Sequence, residues 1–268
     1  MQWAVNGALI AIAAVTLFPL AWMVAGSLMA PGEASTYPPP LLPAHATWTN
    51  YHELFERAGM GRYLANSLAV ATAITLLSLA FNLSAGYAFA KLRFAGRDRL
   101  FQTLLGALLI PAQVAMIPLF LLMKWLHLVN SYGGVIVPGM AGVFGIYLVR
   151  QYARSIPDEL LEAARIDGAG ELRIFTTIVL PLLKPIVATL AIFTFLASWN
   201  DFMWPLIVLS DQAWQTAPVA LAGLSREHVQ DNELMMAGSV VTILPVLALF
   251  LVLQRHYMQG LLLGSVKG

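Results

Sequence analysis

Residues 63–90 read YLANSLAVATAITLLSLAFNLSAGYAFA, and none of them is Asp, Glu, Lys or Arg. A helix needs about 20 apolar residues to cross the hydrocarbon core of a bilayer, so this stretch is long enough to span one. Four basic residues follow within nine positions, at Lys91, Arg93, Arg97 and Arg99. An uncharged run that ends in a basic cluster is typical of a transmembrane helix whose end lies at the cytoplasmic surface.

Five other stretches are also apolar and long enough to cross a membrane. We predict six spans, at 7–29, 63–90, 100–123, 132–150, 185–209 and 234–256, with Asp201 inside the fifth. The first apolar run has no basic residue before it and is longer than the core of a typical signal peptide, so we expect a retained helix. The sequence therefore predicts an all-α polytopic membrane protein, with a single transmembrane domain over residues 1–268.

The composition agrees with a membrane protein. Hydrophobic residues make up 59% of the 268 residues and charged residues only 11%, whereas a soluble domain carries about 25% charged residues. The net charge of +1 gives no electrostatic reason to expect a nucleic-acid partner. The chain has no cysteine, which excludes disulfides, thiol catalysis and cysteine metal sites.

The distribution of basic residues predicts the orientation in the membrane. One set of loops and the carboxyl-terminal tail carry eleven Lys and Arg residues, and the loops on the opposite side carry four. Because cytoplasmic loops are enriched in Lys and Arg, we expect both termini in the cytoplasm. The eleven are Lys91, Arg93, Arg97, Arg99, Arg150, Arg154, Arg165, Arg173, Lys184, Arg255 and Lys267, and the four are Arg57, Arg62, Lys124 and Arg226.

The longest predicted cytoplasmic loop, residues 151–184, is called the coupling segment below. Ser155 precedes Asp158 by three residues, which is a capping-box pattern for a helix start. Residues 159–166 are good helix formers, with an apolar stripe at Leu160, Ala163 and Ala164, and Gly168 can adopt the left-handed conformation that ends a helix. A second short helix is expected at 171–180. Spacing alone leaves two interpretations open: a docking surface for another protein, or an amphipathic helix on the membrane surface.

The residues of this loop resemble a known family. Residues 162–169, EAARIDGA, together with Phe175 and the IVLP of 178–181, are similar to the EAA loop of binding-protein-dependent ABC importer permeases. Residues 198–202, SWNDF, residues 204–206, WPL, and the ending 259–268 resemble the carbohydrate subgroup, in particular the shorter permease subunit of maltose-type importers. The likeness covers essentially the whole chain.

The resemblance implies that the coupling segment docks onto an ATPase subunit. It also implies two copies of that ATPase, a second related permease chain, an external solute-binding protein and a location in a bacterial or archaeal cytoplasmic membrane. The implied docking residues are Glu162, Ala163, Ala164, Asp167, Gly168, Ala169, Phe175 and Pro181.

This chain has no Gly-x-x-x-x-Gly-Lys-Ser/Thr phosphate loop, so we expect it not to hydrolyse ATP. It is expected to be a transport subunit rather than an enzyme, without a cofactor or metal of its own, while ATP and Mg²⁺ bind the partner ATPase subunits. The five histidines are scattered without ligand spacing, which predicts no metal site.

The fifth predicted span contains candidates for the transport pathway or its gate. These are Trp199, Asn200, Asp201, Trp204 and Pro205. A carboxylate at bilayer depth usually faces a cavity or a partner, so Asp201 is interpreted either as pathway lining or, preferably, as an interhelical hydrogen bond. The two tryptophans could stack on sugar rings, but we expect them in the aromatic belt at the membrane interface.

Two further expectations rest on the resemblance alone. The outer segment 210–233 is expected to reach into the binding protein, and the tail 259–268 to extend toward the ATPase dimer through Gly264, Lys267 and Gly268. For each segment, the alternative is an unstructured, solvated chain.

The function that follows is ATP-driven import of a sugar such as maltose, trehalose or a related oligosaccharide, by alternating access. The nearest alternative is the same architecture for glycerol phosphate or another polar solute. An ion-coupled secondary transporter would need more buried charge than Asp201 supplies, and a membrane-embedded enzyme would need clustered His, Asp or Ser groups.

Overall fold

The computed structural model describes residues 2–227 and 231–265, with side chains described for 2–224 and 231–252. The described residues form helices, turns and loops, with no strand among them, which confirms the all-α prediction. The fourteen α-helices are α1 (Gln2–Ser27), α2 (Thr49–His52), α3 (Met60–Lys91), α4 (Arg97–Ala107), α5 (Ala112–Trp125), α6 (Tyr132–Gly139), α7 (Val143–Arg154), α8 (Asp158–Ile166), α9 (Glu171–Ile174), α10 (Leu180–Leu182), α11 (Lys184–Trp199), α12 (Met203–Val208), α13 (Ala217–Glu227) and α14 (Asn232–Ser265).

Four of the described helical stretches are long and apolar enough to cross a bilayer. They are α1, α3, the stretch Tyr132–Arg154 that contains α6 and α7, and Asn232–Val252 of α14. Two bent pairs raise the number to six if each pair is one span: α4 with α5, and Glu171–Leu182 with α11. The prediction of about six spans therefore agrees with the range of four to six in the structure.

Three of the predicted spans are not continuous helices, and one of them is 132–150, which is interrupted between Gly139 and Val143. Residues 100–123 belong to α4 and α5, which meet at an angle of 105° across a break before Ala112. Residues 185–209 are interrupted between Trp199 and Met203, where α11 ends and α12 begins. A continuous helix through Asp201 is therefore wrong, because the chain leaves the helical path at Asn200, the last residue of α11's hydrogen-bond pattern.

The chain divides into two compact units. Unit 1 consists of Met1–Asn66 and Gln215–Ala248, and unit 2 of Ser67–Trp214 and Leu249–Gly268. The core of unit 1 joins residues near α2 to α13 and the start of α14, through Leu54, Met60, Ala217, Leu234 and Ala237. Unit 2 has three apolar clusters, of which the largest lies beneath the coupling segment.

In unit 1, buried polar side chains bind the backbone of the loop that follows α1. The amide of Asn50 donates hydrogen bonds to the backbone oxygens of Ser27 (2.9 Å) and Met29 (2.8 Å). The carboxylate of Glu233, which is fully buried, accepts a hydrogen bond from the amide of Ala34 at 2.6 Å. These bonds tie the loop to α2 and α14 and give an ordered surface instead of a free linker.

The outer segment 210–233 is mostly helical in its described part. Helix α13 buries Ala217, Val219 and Ala220, and Ala217 belongs to the unit 1 core. The alternative of an unstructured, solvated segment is therefore wrong for 217–227. Residues 228–230 lie outside the described part of the chain.

Helix α1 differs from the others in its exposure. Residues 2–21 are all exposed within this chain, although the helix is the apolar stretch expected at 7–29. An apolar helix that packs so little against its own chain has its side chains free for lipid or for another subunit.

Candidate functional site

The first helix of the coupling segment ends at Gly168 as predicted. Gly168 has φ +83°, and its amide donates to the oxygen of Arg165 while the amide of Ala169 donates to the oxygen of Ala164. This pair of bonds is the Schellman arrangement, which needs a left-handed residue at the Gly168 position. The chain therefore turns sharply between α8 and α9, and Asp167 and Gly168 stay exposed at the turn.

The capping box expected at the start of this helix is wrong. Helix α8 begins at Asp158 without a side-chain cap, and the hydroxyl of Ser155 donates instead to the oxygen of Tyr152 at 2.7 Å. The carboxylate of Asp158 pairs with the ammonium of Lys91 at 2.7 Å, and Lys91 also donates to the oxygen of Ile156. A long-range contact to the end of α3 therefore replaces the local cap.

The buried stripe of α8 also differs from the predicted one. Leu161 is 1% exposed and lies in the largest cluster of unit 2, with Ala164 and Ala169 packed against it. Leu160 and Ala163, two members of the predicted stripe, are exposed. The helix is therefore rotated so that Leu161 anchors it.

The opposite face of the coupling segment presents apolar side chains that nothing in unit 2 covers. Leu160 is 44% exposed, Ile166 86% and Leu172 78%. Glu162 and Ala163 lie exposed beside them. Large exposed aliphatic side chains of this kind are often covered by a protein partner, whereas Glu162 lines a depression that it shares with Arg165 and Glu171.

A chain of polar and aromatic contacts fastens the two helices of the segment to α3. The guanidinium of Arg165 donates to one oxygen of Glu171 at 2.6 Å, and the hydroxyl of Tyr87 donates to the other at 2.9 Å. The ring of Tyr87 packs on that of Phe175 at 5.2 Å between centroids. Phe175 is thus inside this junction, whereas Glu162 and Asp167 remain at the surface.

Contacts with basic side chains lower the pKa of two carboxyl groups of the coupling segment. The hydrogen bond from Arg165 lowers the pKa of Glu171 below its ordinary value of 4.5, against an opposing effect of burial. The hydrogen bond from Lys91 lowers the pKa of Asp158 below its ordinary value of 3.8. Both carboxyl groups are therefore ionised at neutral pH, and both junctions are ion pairs there.

The second helix of the segment leads directly into α11. Helix α9 continues through a π-helical turn at Phe175–Val179 into α10, and the stretch Glu171–Leu182 meets α11 at 79°. Pro181 lies in α10 and has no amide hydrogen to donate. Only Leu183 separates α10 from α11, so no loop lies between the coupling segment and α11.

The pathway candidates lie at the opposite end of α11. Trp199 is 1% and Trp204 7% exposed, so their expected location in an aromatic belt is wrong, because both rings pack inside the protein. The indole of Trp204 donates to the oxygen of Gly134 at 3.0 Å, and Pro205 is buried next to it. The amide of Asn200 donates to the oxygen of Leu196.

Asp201 makes a local contact instead of the preferred interhelical one. Its carboxylate accepts a hydrogen bond from the amide of Trp204 at 3.4 Å, three residues further along the chain. This bond covers one free amide at the start of α12. The Asp201 side chain is only partly buried, so it remains open to other partners.

The tail candidates cannot be placed in the same way. Lys267 and Gly268 lie outside the described residues, and for Gly264 only the backbone helix α14 is described. In the part of the chain whose side chains are described, no group of three His, Asp or Glu side chains could hold a metal ion.

Three residues that matter at this site were not singled out from the sequence. From the sequence, Lys91 is only one of several basic residues of a predicted loop, and neither Tyr87 nor Glu171 has a local signal that marks it. Their contacts join residues 84 positions apart for Tyr87 and Glu171, and 67 apart for Lys91 and Asp158. The one available signal was Lys91 itself, a basic residue immediately after an apolar span.

Comparisons with known proteins agree on one family. The family described as "Binding-protein-dependent transport system inner membrane component" matches residues 83–261. The arabinooligosaccharides transport system permease protein AraQ of Halalkalibacterium halodurans is 38% identical, over 100% of this chain and 97% of the relative. The melibiose/raffinose/stachyose import permease protein MelC of Bacillus subtilis is 36% identical, over 96% and 94%.

A further relative and a solved structure extend this result. The sn-glycerol-3-phosphate transport system permease protein UgpE of Yersinia enterocolitica is 34% identical, over 91% of this chain and 90% of the relative. A chain in the crystal structure of a bacterial ABC transporter, involved in the import of the acidic polysaccharide alginate, superposes with a TM-score of 0.85 at 25% identity. The superposition covers 95% of both chains.

Proposed function

The chain belongs to the family of binding-protein-dependent transport system inner membrane components, the permeases of ABC importers, and we propose that it moves a neutral carbohydrate across the cytoplasmic membrane. In this proposal it forms one half of the pathway, and a second, related permease chain forms the other. Two ATPase subunits bind ATP and Mg²⁺ on the cytoplasmic side, and an external binding protein delivers the solute.

The exposed face of the coupling segment carries this proposal. Leu160, Ile166 and Leu172 would insert into a cleft of the ATPase, with Glu162 facing a basic group of that partner. Burying three aliphatic side chains supplies affinity, and the single carboxylate supplies orientation. The alternative interpretation, a helix lying on the membrane, fits less well because the same face is interrupted by Glu162 and by the exposed turn at Asp167 and Gly168.

Energy transfer follows from the way the segment is attached. The Lys91 ion pair and the contacts of Glu171 hold α8 and α9 to the end of α3, and α10 continues almost directly into α11. A closing ATPase dimer that displaces α8 therefore moves these helices together. ATP binding favours the outward-open state only because that state makes better contacts with the closed ATPase.

The proposed substrate class is drawn from the names of the relatives. AraQ and MelC are named for neutral oligosaccharides, whereas UgpE is named for glycerol phosphate. We propose a neutral oligosaccharide and keep glycerol phosphate as the second candidate. Uptake driven by an ion gradient without ATP would contradict both.

Reversing one charge on the docking face tests the proposal. Glu162→Lys should abolish co-purification of the ATPase and ATP-driven uptake, while the chain still inserts into the membrane. The control is Glu56→Lys, the same change at an exposed side chain outside the coupling segment, which should retain both. Normal uptake by Glu162→Lys would show that the coupling segment does not dock the ATPase.

Gly168→Ala provides a second variant of the same surface. No atom lies within 4 Å of an added Cβ, so the only cost is the left-handed backbone at φ +83°, which is about 1–2 kcal/mol. We expect a partial loss of coupled ATPase activity with the docking side chains unchanged.

A further inference from the structure

Unit 2 contains a cavity of about 300 Å³ at the end of α11, beside the α11–α12 break. Its walls come from α3, α5, α6 and α11, through residues such as Ile74, Leu119 and Val135. This volume is at the lower end of the range for small-molecule sites.

One wall of the cavity is polar and the others are apolar. Thr194, Ser198 and Asp201 line it together, at intervals of four and three residues along α11 and its end. Thr194 and Ser198 are four residues apart and therefore lie on one face of α11, and Asp201 lines the same cavity from the break that follows this helix. The opposite walls are aliphatic, and the indole ring of Trp204 completes the lining, held in place by its hydrogen bond to Gly134.

The two hydroxyl groups have no partner among the described residues. Hydroxyls of other helical residues in this chain, such as Thr189 and Ser239, donate to the backbone oxygen four positions earlier. Thr194 and Ser198 make no such bond within the described part of the chain. Partly buried hydroxyls that forgo the usual backbone bond are available to a ligand.

We propose that this cavity is a subsite for one ring of a neutral polyhydroxylated solute during transport, an inference that rests on the proposed function. Thr194 and Ser198 donate to and accept from ring hydroxyls, and the Asp201 carboxylate accepts from a third. The Trp204 ring and the aliphatic walls contact the apolar face of the ring.

The composition of the lining selects among ligand classes. Among the described residues that line the cavity, none is basic, and Asp201 would repel a phosphate or carboxylate group. A lipid acyl chain would leave two hydroxyls and a carboxylate without partners, which costs free energy for each polar group. A neutral carbohydrate satisfies both the polar and the apolar walls.

The cavity is also placed where the ATPase cycle can act on it. Thr194 and Ser198 lie about 15 Å and 21 Å along the axis from Lys184, at 1.5 Å per residue. Both side chains belong to α11, the helix that the coupling segment leads into. A rotation or tilt of α11 therefore displaces the polar wall relative to the apolar walls that α5 and α6 provide.

The test uses the complete transporter in proteoliposomes, with the second permease, the ATPase and the binding protein. The probes are arabinotriose, raffinose and sn-glycerol 3-phosphate. Ser198→Ala and Thr194→Val should each raise the KM for uptake of a transported sugar by about two- to tenfold, the value of one neutral hydrogen bond. Thr189→Val is the matched control on α11, since Thr189 does not line the cavity, and its KM should not change.

Deoxy analogues of the transported sugar separate binding from structure. If Ser198 contacts a ring hydroxyl, the effect of Ser198→Ala disappears for the analogue that lacks that hydroxyl, whereas a purely structural defect acts on all analogues alike. Asp201→Asn is a second variant. Its effect on the KM should disappear for the analogue that lacks a different ring hydroxyl.

The failures of the two proposals are distinguishable. Unchanged KM values in Ser198→Ala, Thr194→Val and Asp201→Asn, with ATP-driven sugar uptake intact in the wild type, would overturn the subsite alone. Uptake of sn-glycerol 3-phosphate in preference to both sugars would overturn the neutral ligand. Absence of ATP-driven uptake of every probe would overturn the proposed carbohydrate function together with the subsite.

Discussion

Glu171 joins both helices of the coupling segment to α3. Its two carboxylate oxygens accept from Arg165 on α8 and from Tyr87 on α3. One side chain therefore joins three helices, and the ionised form is the one that accepts both bonds. No helix-propensity or hydropathy argument singles it out, because Glu at the start of a short helix is ordinary.

The attachment at Glu171 should depend on pH. Its folded-state pKa is lowered by the bond from Arg165, so it contributes stability that is present above the unfolded value of about 4.5 and is lost as the pH falls through the lower folded value. We expect the Tm of the detergent-solubilised wild type to exceed that of Glu171→Gln at pH 7. Because Glu171 is partly exposed, the difference should be modest, on the order of 1 kcal/mol or less in the free energy of unfolding.

The difference in Tm between the wild type and Glu171→Gln should shrink as the pH falls below 4.5. Glu159→Gln serves as the control, since Glu159 is an exposed acid of α8, and its Tm difference from the wild type should vary little over the same range. A constant Tm difference for Glu171→Gln across this pH range would rule out the ionised attachment.

Leu161 and Leu160 are neighbours in the chain but differ strongly in burial. The two side chains have the same composition and adjacent positions, yet Leu161 is 1% and Leu160 44% exposed. Both fit a helical pattern with Ala164, and only the position of the cluster beneath α8 selects Leu161. The exposed face of α8, which we propose docks the ATPase, follows from that selection because it is the side that Leu161 does not occupy.

At the scale of the helices, the contact between α3 and α8 is the main structural finding. The side chain of Lys91 is 5% exposed, and it donates to both the Asp158 carboxylate and the Ile156 oxygen just before α8. A nearly buried ammonium with two oxygen partners is a firmer attachment than a surface ion pair. Helix α3 should therefore move with the coupling segment, in addition to α11.

Removing the Lys91 ammonium tests this attachment. Lys91→Met keeps the aliphatic stem but leaves the Ile156 oxygen without its partner, so we expect the ATPase to remain bound while ATP hydrolysis becomes partly uncoupled from uptake. The measurement is the ratio of solute transported to ATP hydrolysed in proteoliposomes, which should fall severalfold.

Arg99→Met provides the comparison for Lys91→Met, because Arg99 is an exposed basic residue in the first turn of α4, eight positions after Lys91. The ratio of solute transported to ATP hydrolysed should be the same for Arg99→Met as for the wild type. An unchanged ratio in Lys91→Met would mean that α11 alone transmits the movement.

Hydropathy does not predict where an apolar stretch bends or breaks, as two elements show. Leu108, Leu109 and Ile110 are as apolar as their neighbours, so nothing in their composition indicates the 105° bend between α4 and α5. Pro111 shows extended backbone at ψ 132° and accounts for the restart of the helix at Ala112. Likewise Asn200 and Asp201 were recognised as polar, but their position at a helix break was not.

For the whole molecule, the orientation in the membrane remains a prediction from charge. The chain has no cysteine, so single cysteines can be introduced without a background. Ala46 and Ala95 are exposed residues of two loops, one after α1 and one after α3. In intact cells, a membrane-impermeant maleimide should label Ala46→Cys but not Ala95→Cys, and permeabilisation should make both reactive.

Ala46 and Ala95 are matched in size and exposure, so each variant controls for the other. Labelling of Ala95→Cys in intact cells would invert the orientation and place the coupling segment outside. An ATPase could not reach it there, and the proposed function would fail with the topology.

The membrane environment, the apolar stretches, the family and the turn at Gly168 are all predictable from the order of the residues. Each of these depends on composition or on residues close together in the chain: apolar length against bilayer thickness, and the tolerance of glycine for a left-handed backbone. The folded chain is needed to find which face of α8 is exposed, that Lys91 and Glu171 fasten the coupling segment, and that Thr194, Ser198 and Asp201 share one cavity. Those properties come from contacts between residues far apart in the sequence, where packing chooses among local patterns that are equally good.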